Sequence, residues 1–280
     1  MPLMSQALKT LDASYRARAI PPGSARYWSW LFATSPARAP LLGIYALLAE
    51  WNALMDPATE HSAARIKLEW WREEILRLAT GVPVHPIGAY LASLPRADEV
   101  DFTPLTLCID AAVAETSGAP LERGSDLAPH AWALRAHPLM VASRLATADS
   151  DEAGLEQCTQ ALAVADFLSR SARDYRREAR AGRVPFAVDE LLAAGIDNAD
   201  LCADQPSAPL EYYLQQLRER AAQDYGIAAQ ALLRPDRPQQ RHLLVLAALG
   251  LKHVNKHAPS RKFSAVQDML LAWSTARGAR

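Results

Sequence analysis

The sequence predicts an all-α protein, and two observations carry this prediction. Alanine and leucine are abundant, and apolar residues follow the helical period along most of the chain. Valine, isoleucine and threonine rarely alternate with polar residues, so no segment has the two-residue period typical of a half-buried strand. The chain has 280 residues, 50% of them hydrophobic, and is therefore long enough to bury a large core.

Proline and glycine divide the helical pattern into segments. The clearest breaks are Pro21-Pro22-Gly23, Asp56-Pro57, Gly81-Val82-Pro83, Gly118-Ala119-Pro120, Gly182 and Arg234-Pro235. Between the breaks the pattern predicts helices over 4–18, 24–33, 36–55, 58–80, 84–94, 101–116, 125–149, 151–180, 187–194, 207–233, 238–256 and 263–276. Because no connection is long or of low complexity, we expect a single domain over residues 1–280.

Two of these helices have informative apolar patterns. Residues 41–49 are apolar on every side, which predicts that the 36–55 helix is buried in the middle of a bundle. In the 58–80 helix, Trp70 and Trp71 are adjacent and must point in different directions. We expect one of them to point inward and the other toward a neighbouring helix or the surface.

Composition excludes several classes of function. The net charge is −1 with acids and bases balanced, which argues against a nucleic-acid-binding protein. Cys108, Cys158 and Cys202 are widely spaced and form neither a zinc motif nor a disulfide framework, so a cytoplasmic location is expected. No apolar run has the length of a signal peptide or a membrane-spanning helix. The sequence therefore predicts a protein that is soluble or at most peripheral to a membrane.

An acidic pair in the 151–180 helix is the strongest candidate site. Asp174 and Glu178 are four residues apart and therefore lie on one face of the helix. Carboxylates in this arrangement can hold Mg²⁺, which keeps its other positions for water and phosphate oxygens. The neighbouring arginines can bind phosphate through their planar guanidinium groups. The same pattern also fits a solvent-exposed helix face with ion pairs, and both interpretations remain open.

Several segments resemble the squalene/phytoene synthase family. Residues 24–28 with Leu31-Phe32 resemble its opening helix, and residues 42–46 resemble the helix that leads into its first metal motif. Residues 66–72 are similar to the tryptophan-tryptophan-arginine helix of a divergent subgroup. Arg173-Asp174 and Glu178, followed by Gly182-Arg183, resemble the second aspartate-rich motif.

This resemblance implies an isoprenoid-synthase-type helical bundle around a central cavity, with the 36–55 and 151–180 helices facing each other across it. It also implies Mg²⁺ as the cofactor and the head-to-head transfer of prenyl groups from prenyl diphosphates. Asp174 and Glu178 would be the catalytic and metal-binding residues. The implied diphosphate-binding residues are Arg26, Tyr27, Arg173, Arg177 and Arg183. Arg26 and Tyr27 lie in a tryptophan-rich helix, however, and could simply pack there.

The first metal motif of this chain departs from the family pattern. The arginine position is Ala49, and two acidic positions are Asn52 and Ala53. Asp56 remains as a third candidate metal ligand, although an Asp-Pro pair also fits a turn that ends a helix. Losing carboxylates weakens a magnesium site that must carry a diphosphate.

These departures leave two functions open. Upstream of the second motif, the usual glutamine and asparagine are replaced by Phe167 and Arg170, and the proline that follows the motif is displaced to Pro185. A branch of the family that has lost the first motif acts in assembly of respiratory complex I. The resemblance thus implies either a magnesium-dependent prenyltransferase or a non-catalytic binding or assembly module. In the second case the cavity would be vestigial or hold a prenyl diphosphate or another apolar lipid.

The C-terminal region also carries a basic surface. Its members are Lys252, His253, Lys256, His257, Arg261 and Lys262. Such a cluster can contact an acidic protein or an anionic membrane surface, and it can equally be a solvated patch.

Overall fold

A computed structural model describes residues 11–254 and 264–279. These residues form helices joined by short connections. In chain order the helices are α1 (Ala13–Ala19), α2 (Ala25–Phe32), α3 (Ser35–Leu54), α4 (His61–Ala79), α5 (Pro86–Ala92), α6 (Leu105–Ser117), α7 (Leu127–Ala131), α8 (His137–Ala146), α9 (Glu152–Arg180), α10 (Val188–Ala194), α11 (Asn198–Cys202), α12 (Ala208–Ala231), α13 (Arg241–Val254) and α14 (Ser264–Gly278). Within the described ranges, extended pairing is limited to one parallel bridge between Leu121 and Ala187. The all-α prediction is confirmed.

The predicted helix boundaries agree with the structure in most places. The 151–180 prediction matches α9 to within one residue, and its N-terminus is capped by the Asp151 side chain, which accepts a hydrogen bond from the Gly154 N–H. The short helix α11 was not predicted. It begins with a capping box between Asp197 and Asp200, and it is too short to show apolar periodicity. The predicted helical residues 4–10, 255, 256 and 263 lie outside the described ranges.

The predicted 125–149 helix is interrupted. A 3₁₀ turn (Gly124–Asp126) precedes α7, and a π-helical segment (Trp132–Ala136) separates α7 from α8. Pro138 near the start of α8 explains the interruption, because proline has no N–H and its ring clashes with the carbonyl four residues earlier. A π-turn adds one residue to the helical turn and relieves that clash.

Helix α3 lies at the centre of the bundle, as its apolar sequence predicts. Residues from Gly43 to Leu48 are all buried, and α3 packs against α1, α5 and α8. The absence of a side chain at Gly43 permits a close approach of α5, since a Cβ there would lie 2.5 Å from a methyl carbon of Leu91. Helix α3 is therefore fixed along most of its length, and its C-terminal end has a defined position.

Helix α9 forms the second central element. It packs most extensively against α12 and also contacts the π-helical segment, α11 and α13. Helix α13 in turn packs against α2 and α14. None of the helices in the described ranges has the length and hydrophobicity needed to cross a membrane.

The joint between α4 and α5 is held by a buried carboxylate. Trp71 points inward against Trp51, and Trp70 is partly exposed, so the prediction that the two rings diverge is confirmed. One turn further, Glu74 is only 1% exposed, and its carboxylate accepts hydrogen bonds from the N–H groups of Val84 and His85 at 2.9 and 2.7 Å. Arg77 donates to the other carboxylate oxygen. Glu74 therefore fixes the connection that leads into α5.

We expect Glu74→Ala to destabilise the protein by about 2–4 kcal/mol, because it leaves two N–H groups without acceptors. Glu73→Ala is the matched control. The Glu73 side chain is 69% exposed and 3.6 Å from Arg77, so its loss should change stability by less than about 0.5 kcal/mol. Urea unfolding of both variants measures the difference, and equal effects would contradict this role of Glu74.

Candidate functional site

A pocket of about 410 Å³ lies between the C-terminal end of α3 and the second half of α9. Asn52, Met55 and Asp56 line it from the α3 side. From α9 its wall runs from Phe167 to Glu178. The two helices that were predicted to face each other across a cavity therefore do so. We call this space the α3–α9 pocket.

All three predicted acidic ligands line the α3–α9 pocket. Asp174 and Glu178 lie one turn apart on α9, and Asp56 lies just beyond α3. Each acid has an arginine partner. Arg173 contacts Asp174 at 2.8 Å and Arg177 contacts Glu178 at 3.0 Å, while Asp56 lies 3.7 Å from the guanidinium of Arg177. The negative charges of the site are thus neutralised by arginines of the same chain.

The charge of Asp174 is well defined. Partial burial would raise the pKa of this carboxyl group, but the hydrogen bond from Arg173 and the nearby positive charges of Arg173, Arg177 and Arg170 outweigh that effect. The pKa of Asp174 is therefore below its ordinary value. The residue is an ionised oxygen donor at neutral pH, which is the form that a divalent cation requires.

Arg183 links the two sides of the pocket. Gly182 has a φ of 80°, which allows the chain to turn sharply after α9 and brings Arg183 back toward α3. There Arg183 donates a hydrogen bond to the carbonyl oxygen of Met55 at 2.6 Å and lies 3.7 Å from the carboxylate of Glu178. Both charged groups are mostly buried. Arg183 therefore has a structural role in addition to the predicted phosphate contact.

The structure does not bring Arg26 and Tyr27 to the wall of the pocket. The Tyr27 ring packs edge-on against Trp28, which agrees with the packing alternative. Arg26 lies deeper, where its charge interacts with Tyr45, Asp166 and Arg170, and burial lowers the pKa of its guanidinium. The Nη1 atom of Arg26 is shielded from solvent and has no hydrogen-bond partner among the described residues.

A buried arginine that sequence reasoning missed lies behind the α3 side of the pocket. Arg135 belongs to the π-helical segment, and its Nη2 donates a hydrogen bond to the side-chain oxygen of Asn52 at 2.7 Å. Its Nε lies 3.6 Å from Asp166 of α9, which also accepts a hydrogen bond from Arg170 at 3.1 Å. The only sequence signal was a single arginine inside the apolar run 131–136, which contained no recognisable motif.

Burial has a strong effect on Arg135. The side chain is 8% exposed, and desolvation, followed by repulsion from Arg170, lowers the pKa of the guanidinium to about 9. Asp166 acts in the opposite direction. Arg135 thus carries its charge at neutral pH in an environment that opposes that charge.

A second unpredicted pair lies beside Arg135. The Nε2–H of His130 donates to the carboxylate of Glu115 at 2.6 Å, and the His130 ring packs edge-on against Phe167. Burial would raise the pKa of Glu115, but this hydrogen bond and the charges of His130, Arg170 and Arg135 hold it below its ordinary value. Glu115 is therefore a further negative charge in the α3–α9 pocket.

The α9 side of the pocket has a carboxylate pair that fits a magnesium ion, whereas Asp56 is the one acid among the described residues that the α3 side contributes to the lining. Mg²⁺ in proteins is commonly held by one or two carboxylates together with water and phosphate oxygens, and Asp174 and Glu178 provide such a set. Across the pocket, Ala53 is exposed and outside the lining, and the oxygen of Asn52 already accepts a hydrogen bond from Arg135. In the described part of the chain, no three histidine, cysteine, aspartate or glutamate side chains form a ready-made metal site.

Comparison with known proteins agrees with this architecture. The sequence pattern of squalene/phytoene synthases matches residues 21–271. The chain belongs to the squalene/phytoene synthase family. It is 23% identical over 201 residues to chloroplastic phytoene synthase 1 of Arabidopsis thaliana. That match covers 70% of this chain and 47% of the relative, so the chain spans about half the length of that protein.

Solved structures share the fold. A dehydrosqualene synthase in complex with ligand superposes with a TM-score of 0.74 at 14% identity, covering 91% of this chain and 92% of that chain. The squalene synthase HpnC from Alicyclobacillus acidocaldarius superposes with a TM-score of 0.64 at 15% identity, covering 98% of both chains. The predicted isoprenoid-synthase-type bundle is therefore confirmed.

The predicted basic C-terminal surface is described only in part. Lys252 and His253 both contact Asp268 of α14, which offsets their charge. Lys256, His257, Arg261 and Lys262 lie outside the described residues.

We expect Arg183→Gln to destabilise the protein by about 1–3 kcal/mol, because it removes a charged, mostly buried donor from the Met55 carbonyl oxygen. Arg180→Gln is the matched control, since Arg180 is half exposed and pairs with an almost fully exposed Asp204. That change should cost less than about 0.5 kcal/mol. Thermal unfolding compares the two, and an Arg183 variant as stable as the wild type would contradict the link between α3 and α9.

Proposed function

We propose that this protein binds a prenyl diphosphate in the α3–α9 pocket and, with Mg²⁺, transfers its prenyl group in the head-to-head manner of squalene/phytoene synthases. The observation that carries this proposal is the grouping of Asp174, Glu178 and Asp56 with Arg173 and Arg177 around one pocket. Carboxylates for a divalent cation and guanidinium groups for phosphate are both required for this chemistry, and both line this pocket.

The ion pairs of the pocket suggest how a cation and a phosphate group could bind together, with the arginines moving from carboxylate to phosphate oxygens. Arg173 and Arg177 contact Asp174 and Glu178. When a cation binds to these carboxylates, the guanidinium groups become available for phosphate oxygens, which they can contact in a bidentate manner. The magnesium ion would neutralise part of the negative charge on the departing diphosphate.

The chemistry begins with cleavage of the bond between the allylic carbon and the diphosphate oxygen. The electron pair leaves with the diphosphate, and Arg173, Arg177 and Arg183 would stabilise the charge that develops on it. The remaining allylic cation reacts with a double bond of the second prenyl chain. The two electrons of that double bond form the new carbon–carbon bond, and the resulting cation is quenched by loss of a proton, which the released diphosphate can accept. The apolar wall of the pocket would protect the cation from water.

The surroundings of the pocket support a prenyl chain as the apolar part of the ligand. Leu134 and Phe167 line the α3–α9 pocket together with its charged residues. At His130 the pocket adjoins a second cavity of about 890 Å³ between α6, the π-helical segment, α8 and α9. Trp132 and Met140 contribute apolar surface to that cavity, whose lining also includes Asp110, Arg144 and Glu156. In this proposal the prenyl chain lies along Leu134 and Phe167, toward this apolar surface.

A second candidate function is a non-catalytic binding module. The observation that favours it is on the α3 side of the pocket, where the side-chain oxygen of Asn52 is held by Arg135. The resemblance implies an acid at this position. Such a protein would bind the prenyl diphosphate without cleaving it. We place the transferase first because the carboxylates of α9 are retained.

Incubation with farnesyl or geranylgeranyl diphosphate and Mg²⁺ separates the two candidates. We expect release of pyrophosphate and a decrease of about a hundredfold in that release for Asp174→Asn, which keeps the size of the side chain but removes its charge. Asp204→Asn, a change on the exposed surface, is the matched control and should keep full activity. Tight binding without release would favour the binding module, and absence of binding would contradict both candidates.

Thermal stability provides an independent test of the metal ligands. A non-hydrolysable thio-analogue of farnesyl diphosphate should raise the melting temperature more with Mg²⁺ than with a chelator, because a ligand that binds only the native state stabilises it. Asp174→Ala should abolish the magnesium-dependent part of this increase. If Mg²⁺ has no influence in the wild type, Asp174 and Glu178 are ordinary ion-paired residues.

A further inference from the structure

Three arginines from separate parts of the chain converge behind the α3–α9 pocket. Arg170 of α9 and Arg135 of the π-helical segment both approach Asp166, at 3.1 and 3.6 Å. Arg26 of α2 interacts electrostatically with the same three residues. We call Arg26, Arg135 and Arg170 the inner arginine cluster.

The inner arginine cluster differs in charge balance from the outer part of the pocket. In the outer part, Arg173, Arg177 and Arg183 face the same number of acids, Asp174, Glu178 and Asp56. The inner cluster also has three guanidinium groups. Asp166 and Glu115 interact with them as counter-charges, and Asp174, which also interacts with Arg170, is already paired with Arg173 in the outer part. Even with both carboxylates ionised, the inner cluster has an excess of one positive charge.

Two members of the inner cluster are shielded from solvent. Arg135 is 8% exposed, and the Nη1 atom of Arg26 is shielded from solvent without a hydrogen-bond partner among the described residues. Charged groups inside proteins are costly unless they are paired and hydrogen-bonded. A bound anion would supply both the missing charge and an acceptor for the free guanidinium donors.

The inner cluster can be reached from the pocket. Arg170 and Asn52 both line the α3–α9 pocket, and Arg135 lies directly behind Asn52. An anion that passes the outer acids would therefore meet Arg170 first, with Arg135 next to it. The acids of the outer part are already paired with arginines, so that part gives an anion that arrives without a cation no net attraction, whereas the inner cluster attracts it.

We propose that the inner arginine cluster is a metal-independent binding site for a diphosphate group, in which Arg135 supplies the positive charge on the α3 side of the pocket. The proposal rests on the proposed function in that it assigns a second mode of diphosphate binding to the same pocket. The outer part binds diphosphate together with Mg²⁺, and the inner cluster binds diphosphate without a metal ion. This places a fixed guanidinium group beside Asn52, where the chain lacks a carboxylate for a metal.

Calorimetric titration with inorganic pyrophosphate in the presence of EDTA tests this site directly. We expect binding in the wild type and a loss of affinity of at least about tenfold in Arg135→Gln and in Arg170→Gln, since each removes one charge-assisted contact. Arg170 is partly exposed, so its variant keeps the test valid if Arg135→Gln does not fold. Arg180→Gln is the matched control on the surface of α9 and should bind pyrophosphate like the wild type.

A second variant distinguishes an anion site from a purely structural cluster. Asp166→Asn removes a carboxylate from the inner cluster while keeping the size of the side chain. We expect this variant to melt at a lower temperature than the wild type without ligand and to bind pyrophosphate several-fold more tightly in EDTA. A lower melting temperature with unchanged or weaker binding would overturn the proposal.

The outcomes also separate this inference from the proposed function. If pyrophosphate and the farnesyl thio-analogue both bind only in the presence of Mg²⁺, the inner site is overturned and the proposed function stays intact. Binding of pyrophosphate in EDTA, without any binding of the farnesyl thio-analogue, would support the inner site and contradict the proposed function.

Discussion

The pairing of carboxylates with guanidinium groups between α3 and α9 is the interaction on which the candidate site depends. Packing against α12 fixes the opposite face of α9, so its charged residues face the pocket. Each candidate metal ligand there has an arginine partner, and Arg183 attaches the chain after α9 to the end of α3. A cation or phosphate that binds to Asp174, Glu178, Arg173 or Arg177 must replace contacts that already exist, which makes binding of the two mutually dependent in the outer part of the pocket.

Much of the fold could be predicted from the sequence, because helix ends coincide with proline and glycine and the apolar run 41–49 can only be buried. The acidic pair on α9 was also predictable, since a four-residue spacing fixes its geometry. Arg135 was not predictable. Its position depends on the π-helical segment before Pro138 and on a contact with Asn52, which is 83 residues away in sequence. Periodicity describes one helix at a time and does not report such contacts.

The two sides of the pocket differ in charge. Asn52 on the α3 side accepts a hydrogen bond from a buried guanidinium group, and Ala53 lies outside the pocket lining. The positive charge on the α3 side therefore belongs to the protein itself, while carboxylates suitable for a metal remain on the α9 side. Membership of the squalene/phytoene synthase family and the fold follow from the comparisons.

The most direct test of the central claim is a crystal structure of the protein with the farnesyl thio-analogue and Mg²⁺. The account predicts electron density for the diphosphate in the α3–α9 pocket, within hydrogen-bonding distance of Arg173 or Arg177, with a metal ion on Asp174 and Glu178. The prenyl chain should extend past Phe167 toward the larger cavity. A ligand bound elsewhere, or an unchanged set of arginine–carboxylate pairs at saturating ligand, would contradict the account.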